Sequence, residues 1–324
     1  MLIEGKWVAN WHPVQAKDQQ GRFIRQISGF RNWITPNGSA GPTGKGGFKA
    51  EKGRYHLYVA LICPWASRVL IARKLKQLQD HISVSIVEPF LGDEGWSFGD
   101  FAGSTEDELF GAKYLHEIYT RADQSYSGRA TVPVLWDKKQ NVLVNNESAD
   151  ILRMLNSAFE LLVPKTIDLY PQDLAPQIDK MNHWLYETLN NGVYKAGFAS
   201  SQSAYEEAVA GVFTTLEKLE IKLGDGRDFL FGDRLSESDI RLFVTLIRFD
   251  VAYYGLFKTN LCQIADYPLL QSYLENILGY PGVLETVNIE HIKRGYYSIV
   301  ALNPSGIVPV GPSAADKLIQ QQRL

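Results

Sequence analysis

A chain of 324 residues with 45% hydrophobic and 21% charged residues can bury a large core, and its length suggests two domains. A formal net charge of -3 gives no reason to expect nucleic acid or an anionic membrane as partner. The two cysteines, Cys63 and Cys262, imply no disulfide framework and fit a reducing compartment.

The N-terminal residues lack the apolar core and cleavage pattern of a signal peptide, and no stretch approaches the ~20 apolar residues of a membrane span. A cytoplasmic location is therefore expected. Residues 1–33 are aromatic-rich (Trp7, Trp11, Phe23, Phe30, Trp33). Leaving so many rings exposed would create an adhesive patch, so the stretch reads as an extension packed on the main body. Residues 34–54 form a Gly- and Lys-rich loop. Gly44-Lys45 is followed by Gly46, Ser39 stands where a first glycine should be, and no strand leads in, which rejects a phosphate loop.

Residues 55–156 read as one α/β unit. Tyr55 to Ile62 is an apolar, β-branched and aromatic run that predicts a buried strand. Cys63 and Pro64 follow, then a helical repeat through Ala66, Val69, Leu70, Ala72, Arg73, Leu75 and Leu78. Proline suits a first helical position because its missing N–H would be unpaired there anyway. Cys63 is thus expected where strand passes into helix, beside first-turn N–H groups whose partial positive charge favours thiolate over thiol. A buried, inert cysteine is the commoner fate of a lone thiol; the order strand–Cys–Pro–helix argues for a reactive one. Ala66 stands where a resolving cysteine would be, so any disulfide at Cys63 must be resolved by a thiol from outside the chain.

Ile82 to Val87 predicts a second strand. Residues 88–130 make a long insertion containing Trp96, with a helical piece expected around Leu109 to Tyr119. Thr131 to Asp137 and Asn141 to Asn145 pattern as a hairpin about a polar turn, and Glu147 to Asn156 as an amphipathic helix. The order β-α-β-insertion-β-β-α is that of a thioredoxin-like unit. Residues 157–172, with Pro164 and Pro171, read as a linker. A helical domain, 173–286, follows, with helices near 173–190, 204–223, 236–254 and 268–278; Ser236 and Asp239 make a capping box for the third. The end, 287–324, with Gly295, Tyr296, Tyr297 and a Pro/Gly-rich tail, reads as an irregular extension. The six histidines show no paired ligand spacing and Cys-x-x-Cys is absent, so no metal is expected. No Gly-x-Gly-x-x-Gly after a strand supports a nicotinamide or flavin.

A thioredoxin-like unit followed by an all-helical domain resembles the glutathione transferases. Cys63-Pro64-Trp65-Ala66 resembles the active-site motif of one branch, the glutathionyl-hydroquinone reductases or Xi class. The likeness runs over nearly the whole chain: the Gly-rich loop, Trp96 in its insertion, Thr131-Val132-Pro133, Glu147-Ser148 and the tail Asn303-Pro-Ser-Gly-Ile-Val-Pro. It implies an α/β plus all-α fold, with N- and C-terminal extensions around a thioredoxin-like domain and an all-helical glutathione-transferase C-terminal domain. It also implies a homodimer that uses glutathione as co-substrate, with no tightly bound cofactor.

The resemblance assigns residues too. Val132-Pro133 is expected to be cis, with the Val132 N–H and C=O turned to a peptide-like ligand. Glu147 and Ser148 are implied to hold the carboxylate and ammonium of a γ-glutamyl group, although both also suit a plain helix cap. Arg129 is implied to pair with the ligand's other carboxylate and Trp96 to cover it, with ordinary surface packing as the alternative. Tyrosines of the helical domain and tail are implied to face the cysteine and shape an aromatic-substrate site. By position these are Tyr194, Tyr253 and Tyr296; Lys195, Tyr254 and Tyr297 directly follow them, so a shift of one residue would exchange each for its neighbour.

The implied reaction is thiol exchange on an aromatic thioether. The Cys63 thiolate attacks the sulfur of a glutathionyl-hydroquinone, and the aromatic carbon leaves with a proton from a tyrosine. A second glutathione then attacks the mixed disulfide. The partners expected are glutathione and aromatic glutathionyl conjugates. Two rivals stand beside this reading. A conjugating or omega-like, thiol-transferring glutathione transferase is one; the conjugating kind wants Tyr or Ser where Cys63 stands. A non-catalytic scaffold of the same fold is the other, and it has no use for a thiol at a helix start.

Overall fold

The computed structural model describes residues 1–9, 16–164, 166–312 and 319, so Trp11 and His12 lie outside the described residues. The chain divides into two units. The first comprises Met1–Trp11, Ile27–Asp168 and Glu285–Gly295, and the second His12–Gln26, Leu169–Leu284 and Tyr296–Leu324.

The first unit opens with a short hairpin, β1 (Leu2–Ile3) and β2 (Lys6–Trp7). Its centre is β3 (Tyr55–Val59), buried at every position, as a strand covered on both faces must be. After α1 (Pro64–Leu75) the chain returns as β4 (Ile82–Ile86), parallel to β3 with Tyr55 opposite Ile82. The insertion carries a hairpin, β5 (Leu91–Gly92) and β6 (Gly95–Trp96), and α2 (Leu115–Ala122). Strands β7 (Val134–Asp137) and β8 (Val142–Asn145) complete a sheet of order β4-β3-β7-β8, with β7 antiparallel to β3. The predicted hairpin is present, and Asn141 closes it at φ +57, a conformation asparagine tolerates. Helix α3 (Ser148–Ser157) follows. Behind the hairpin the buried Asp137 carboxylate accepts from Arg54 Nε at 3.0 Å, so the buried charge is paired.

Two expectations need correction. The helical piece placed around Leu109 to Tyr119 begins only at Leu115. Buried Asp107 accepts from the backbone N–H of Leu109, Phe110 and Ala112, and Gly111 turns the chain at φ +64. The helix starts where Glu117 reaches back to the N–H groups of Lys113 and Tyr114. Residues 289–297, read as irregular, form a helix. Ile289, Ile292 and Tyr296 recur at helical spacing and are buried, and Gly295 obscured that repeat. A glycine is needed there: a Cβ would lie 2.4 Å from Ile62 Cδ1 and 2.5 Å from the Pro89 carbonyl oxygen.

In the second unit the four predicted helices appear as α4 (Ala175–Leu185), α6 (Gln202–Leu223), α7 (Glu237–Arg248) and α9 (Pro268–Gly279); the sequence reading does not separate out α5 (Gly192–Gly197) or the short α8 (Tyr254–Leu256). The corrected helix above is α10 (Ile289–Tyr297), and the boundary between units falls inside it. The capping box forms as read: Asp239 accepts from Ser236 N–H at 2.8 Å and Oγ at 2.7 Å. Two π-helical turns, Tyr186–Asn190 and Phe249–Tyr253, interrupt the α geometry between α4 and α5 and between α7 and α8. Buried Asn190 ties the first turn to α7, donating to the Arg241 carbonyl at 2.9 Å and Thr245 Oγ1 at 2.8 Å. Among the described residues no helix is long and apolar enough to cross a membrane.

Candidate active site

The residues singled out by sequence divide between the units: Cys63, Trp96, Arg129, Val132, Glu147 and Ser148 in the first, Tyr194, Tyr253 and Tyr296 in the second. Cys63 is the N-cap of α1, with extended backbone (φ -77, ψ 118) and Pro64 at the first helical position. Its carbonyl accepts from Ser67 N–H at 3.0 Å, the first bond of the helix. The thiol is half-buried, in no disulfide, and its Sγ lies 3.7 Å from the Val132 carbonyl oxygen. The Val132–Pro133 bond is cis. Thus the thiol and the backbone of residue 132, 69 positions apart in the chain, meet at the sheet's end.

Glu147 is the N-cap of α3. One carboxylate oxygen accepts from Ala149 N–H at 3.2 Å and the other from Ser28 Oγ at 3.0 Å. Ser148, the first residue of α3, is buried. Trp96 stands half-buried on β6, and half-buried Arg129 lies in the loop ahead of Val132, its carbonyl accepting from Tyr126 at 3.2 Å.

Sequence reasoning missed Tyr119, Ser28 and Arg31. The Tyr119 hydroxyl donates to the Thr131 carbonyl at 2.8 Å and accepts from Asn146 Nδ2 at 3.1 Å. It therefore clamps the residue before Val132 to the residue before Glu147. Burial pushes its pKa up, so it stays a hydroxyl. Arg31 binds Asp150 on α3 with two nitrogens, at 2.5 and 2.9 Å. No motif marks Ser28 or Arg31 in sequence; Tyr119 sits on a helix whose predicted start lies six residues too early, at Leu109 rather than Leu115.

In the second unit the three selected tyrosines form one hydrogen-bonded cluster. The Tyr194 and Tyr296 hydroxyls are 2.6 Å apart, and those of Tyr253 and Tyr296 2.9 Å. Phe257, also missed, is the hub: its buried ring lies 5.3, 5.2 and 5.6 Å from those of Tyr194, Tyr253 and Tyr296. Of the adjacent pairs, it is Tyr253 and Tyr296 whose hydroxyls join this cluster. Tyr253 closes the π-helical turn, which shifts the phase of the residues after α7, while Tyr254 and Tyr297 are left partly exposed. Burial, then the neighbouring Tyr194, pushes Tyr253 and Tyr296 well above the ordinary tyrosine range; Arg248 acts in the opposite direction.

Against known families, residues 62–158 match the model described as "Glutathione S-transferase, N-terminal domain" and residues 202–276 its C-terminal counterpart. The chain is 52% identical to the glutathionyl-hydroquinone reductase YqjG of Escherichia coli K12 over 313 residues, 96% of this chain and 94% of that one. It is 48% identical to the glutathionyl-hydroquinone reductase PcpF of Sphingobium chlorophenolicum, covering 97% and 96%. The chain belongs to the glutathionyl-hydroquinone reductase, or Xi-class, family of glutathione transferases. Solved Xi-class structures agree. A glutathione-bound structure of YqjG superposes with a TM-score of 0.88 at 50% identity, covering 96% of this chain and 95% of that one. The Xi transferase of Phanerochaete chrysosporium gives 0.88 at 47% identity, covering 93% and 96%. In Xi-class terms, the first unit is the thioredoxin-like domain with its cysteine and the second contains the helical domain with its tyrosines.

Proposed function

We propose that this protein reduces glutathionyl-hydroquinones to hydroquinones, with Cys63 as nucleophile and glutathione as reductant. The observation that carries the reading is Cys63 at the N-cap of α1 with Ala66 three residues on. First-turn N–H groups favour an anionic sulfur, and a single thiol can form a mixed disulfide but cannot resolve it. Cys63 attacks the glutathionyl sulfur, the sulfur–carbon bond breaks toward carbon, and the tyrosine cluster supplies the proton that carbon takes up. The second glutathione attacks the mixed disulfide, releasing oxidised glutathione and free Cys63.

Val132 offers its backbone to the peptide part of glutathione, Glu147 and Ser148 take the γ-glutamyl head, Arg129 the other carboxylate, and Trp96 closes over the ligand. The reading extends to a homodimer in the cytoplasm that draws glutathione from solution and holds no tight cofactor. Incubation with oxidised glutathione, followed by intact-mass measurement, is the test. One glutathionyl group per chain is expected on wild type and on Cys262→Ser, and none on Cys63→Ser. Equal labelling of Cys63→Ser contradicts the assignment of the nucleophile.

A further inference from the structure

The tyrosine cluster does not by itself say which hydroxyl gives up its proton. An arginine outside it does. Arg25 belongs to the second unit with the tyrosines. Its guanidinium carbon lies 4.7 Å from the centroid of the Tyr194 ring and 5.3 Å from that of Phe23. Its Nε donates to Asn191 Oδ1 at 2.8 Å. Asn191 is buried and precedes Tyr194 by three residues, so the segment that carries the phenol also fixes the cation over it. A guanidinium within ~6 Å of a ring centroid is attracted to the neutral ring, and more strongly to a phenolate.

Resting on the reading that the cluster is the proton donor, we propose that Arg25 is a positioning residue for the reaction. It selects Tyr194 as the hydroxyl that donates to the departing carbon and stabilises the phenolate left behind. The rest of the cluster is arranged to suit. Tyr253 and Tyr296 are buried at 0% and 3% exposure and held protonated, whereas Tyr194 is half-buried. Tyr296 can then donate to the Tyr194 oxygen at 2.6 Å while accepting from Tyr253 at 2.9 Å. Other charges near the cluster are placed differently. Arg248, buried on α7, donates to the Val244 carbonyl at 2.7 Å and acts on Tyr253 and Tyr296. Lys195 is paired with Glu187 at 2.9 Å.

The step balances. The Cys63 sulfur forms a bond to the glutathionyl sulfur, and the sulfur–carbon pair goes to carbon, which takes the Tyr194 proton. Carbon is reduced and sulfur oxidised. The Tyr194 phenolate regains its proton from the thiol of the second glutathione as that sulfur enters the disulfide.

The test replaces Arg25 with Met, which keeps length and loses charge, and with Lys, which keeps charge and loses the planar fork. Phenolate absorbance is titrated from about pH 7 to about pH 12, spanning the ordinary tyrosine value near 10. Each protein is paired with its Tyr194→Phe counterpart, so the difference curve isolates Tyr194. The midpoint of that curve is expected to rise by about one pH unit in Arg25→Met and by less in Arg25→Lys. The kcat for reduction of a glutathionyl-hydroquinone should fall about tenfold in Arg25→Met, with KM for glutathione unchanged. An unmoved midpoint in Arg25→Met overturns the proposal, whatever the rate does. Full activity in Tyr194→Phe instead overturns the donor role beneath it, and the midpoint distinguishes the two failures.

Discussion

Replacing Gly295 with alanine puts two physical effects in opposition. Alanine in a helix interior is favoured over glycine by about 1 kcal/mol, so on propensity alone the change stabilises α10. The structure reverses that sign. The new Cβ would sit 2.4 Å from Ile62 Cδ1 and 2.5 Å from the Pro89 carbonyl oxygen. The isoleucine can turn away; the backbone carbonyl cannot without moving its strand connection. Overpacking of this kind costs about 1–3 kcal/mol, and a backbone obstacle places it toward the upper end. The net is a loss of about 1–2 kcal/mol, or about 2–4 °C in Tm for a chain this size. Because Ile62 directly precedes Cys63, glutathionylation of the thiol should slow as well. Gly211, inside α6 with nothing within 4 Å of its would-be Cβ, is the internal control. Gly211→Ala should gain about 0.5–1 kcal/mol. A calorimetric scan compares the two. If Gly295→Ala melts at or above wild type, the close approach of α10 to Pro89 is refuted.

Two further outcomes follow from single residues. His56 is fully buried on β3, with Nδ1 2.8 Å from Ser83 Oγ, and burial lowers its pKa to about 4. Between that value and about 6.5 the unfolded chain binds the proton and the folded one does not, so stability falls as pH drops through this window, by up to about 3 kcal/mol. Urea midpoints should therefore be lower near pH 5 than near pH 7, and His56→Gln should flatten the difference; equal wild-type midpoints contradict the burial account. Tyr253→Phe removes one hydroxyl of the chained cluster and should lower the reduction rate about tenfold, the worth of a hydrogen bond one step from the donor. Tyr254→Phe should stay within about twofold; a larger loss there would mean the π-helical turn had been given the wrong phase.

Much of the fold was legible because local signals and global order agreed. Tyr55 to Val59, mostly apolar or aromatic and buried throughout, sits centrally in the sheet, Pro64 marks the start of α1, and Ser236 with Asp239 marks the start of α7. What was not legible depended on contacts distant in sequence. Gly295 reads as a breaker until Ile62 and Pro89 are seen against it, and Asp107 delays α2 through a turn that no short pattern announces. The same division holds at the site. Cys63 announces itself, being a property of its immediate neighbours. Glu147 reads as a helix cap, which it is, but it does not disclose that its other carboxylate oxygen accepts from Ser28, 119 residues earlier. Arg25, placed over a ring 169 residues away, has no local signature at all.

The central claim is that the chemistry runs toward reduction of a preformed conjugate. On the proposed reading the Cys63 thiolate meets the sulfur of a bound conjugate, and the disulfide that forms is balanced by the aryl carbon, which takes the electron pair and a proton. An enzyme so arranged attacks sulfur and expels carbon; it does not build a carbon–sulfur bond. The direct measurement supplies a glutathionyl-hydroquinone with excess glutathione and follows products by chromatography. Free hydroquinone and oxidised glutathione should appear in equal amounts, far faster than conjugation of a chlorinated nitrobenzene, and Cys63→Ser should abolish both products. Faster conjugation than reduction in the wild-type protein would contradict the account.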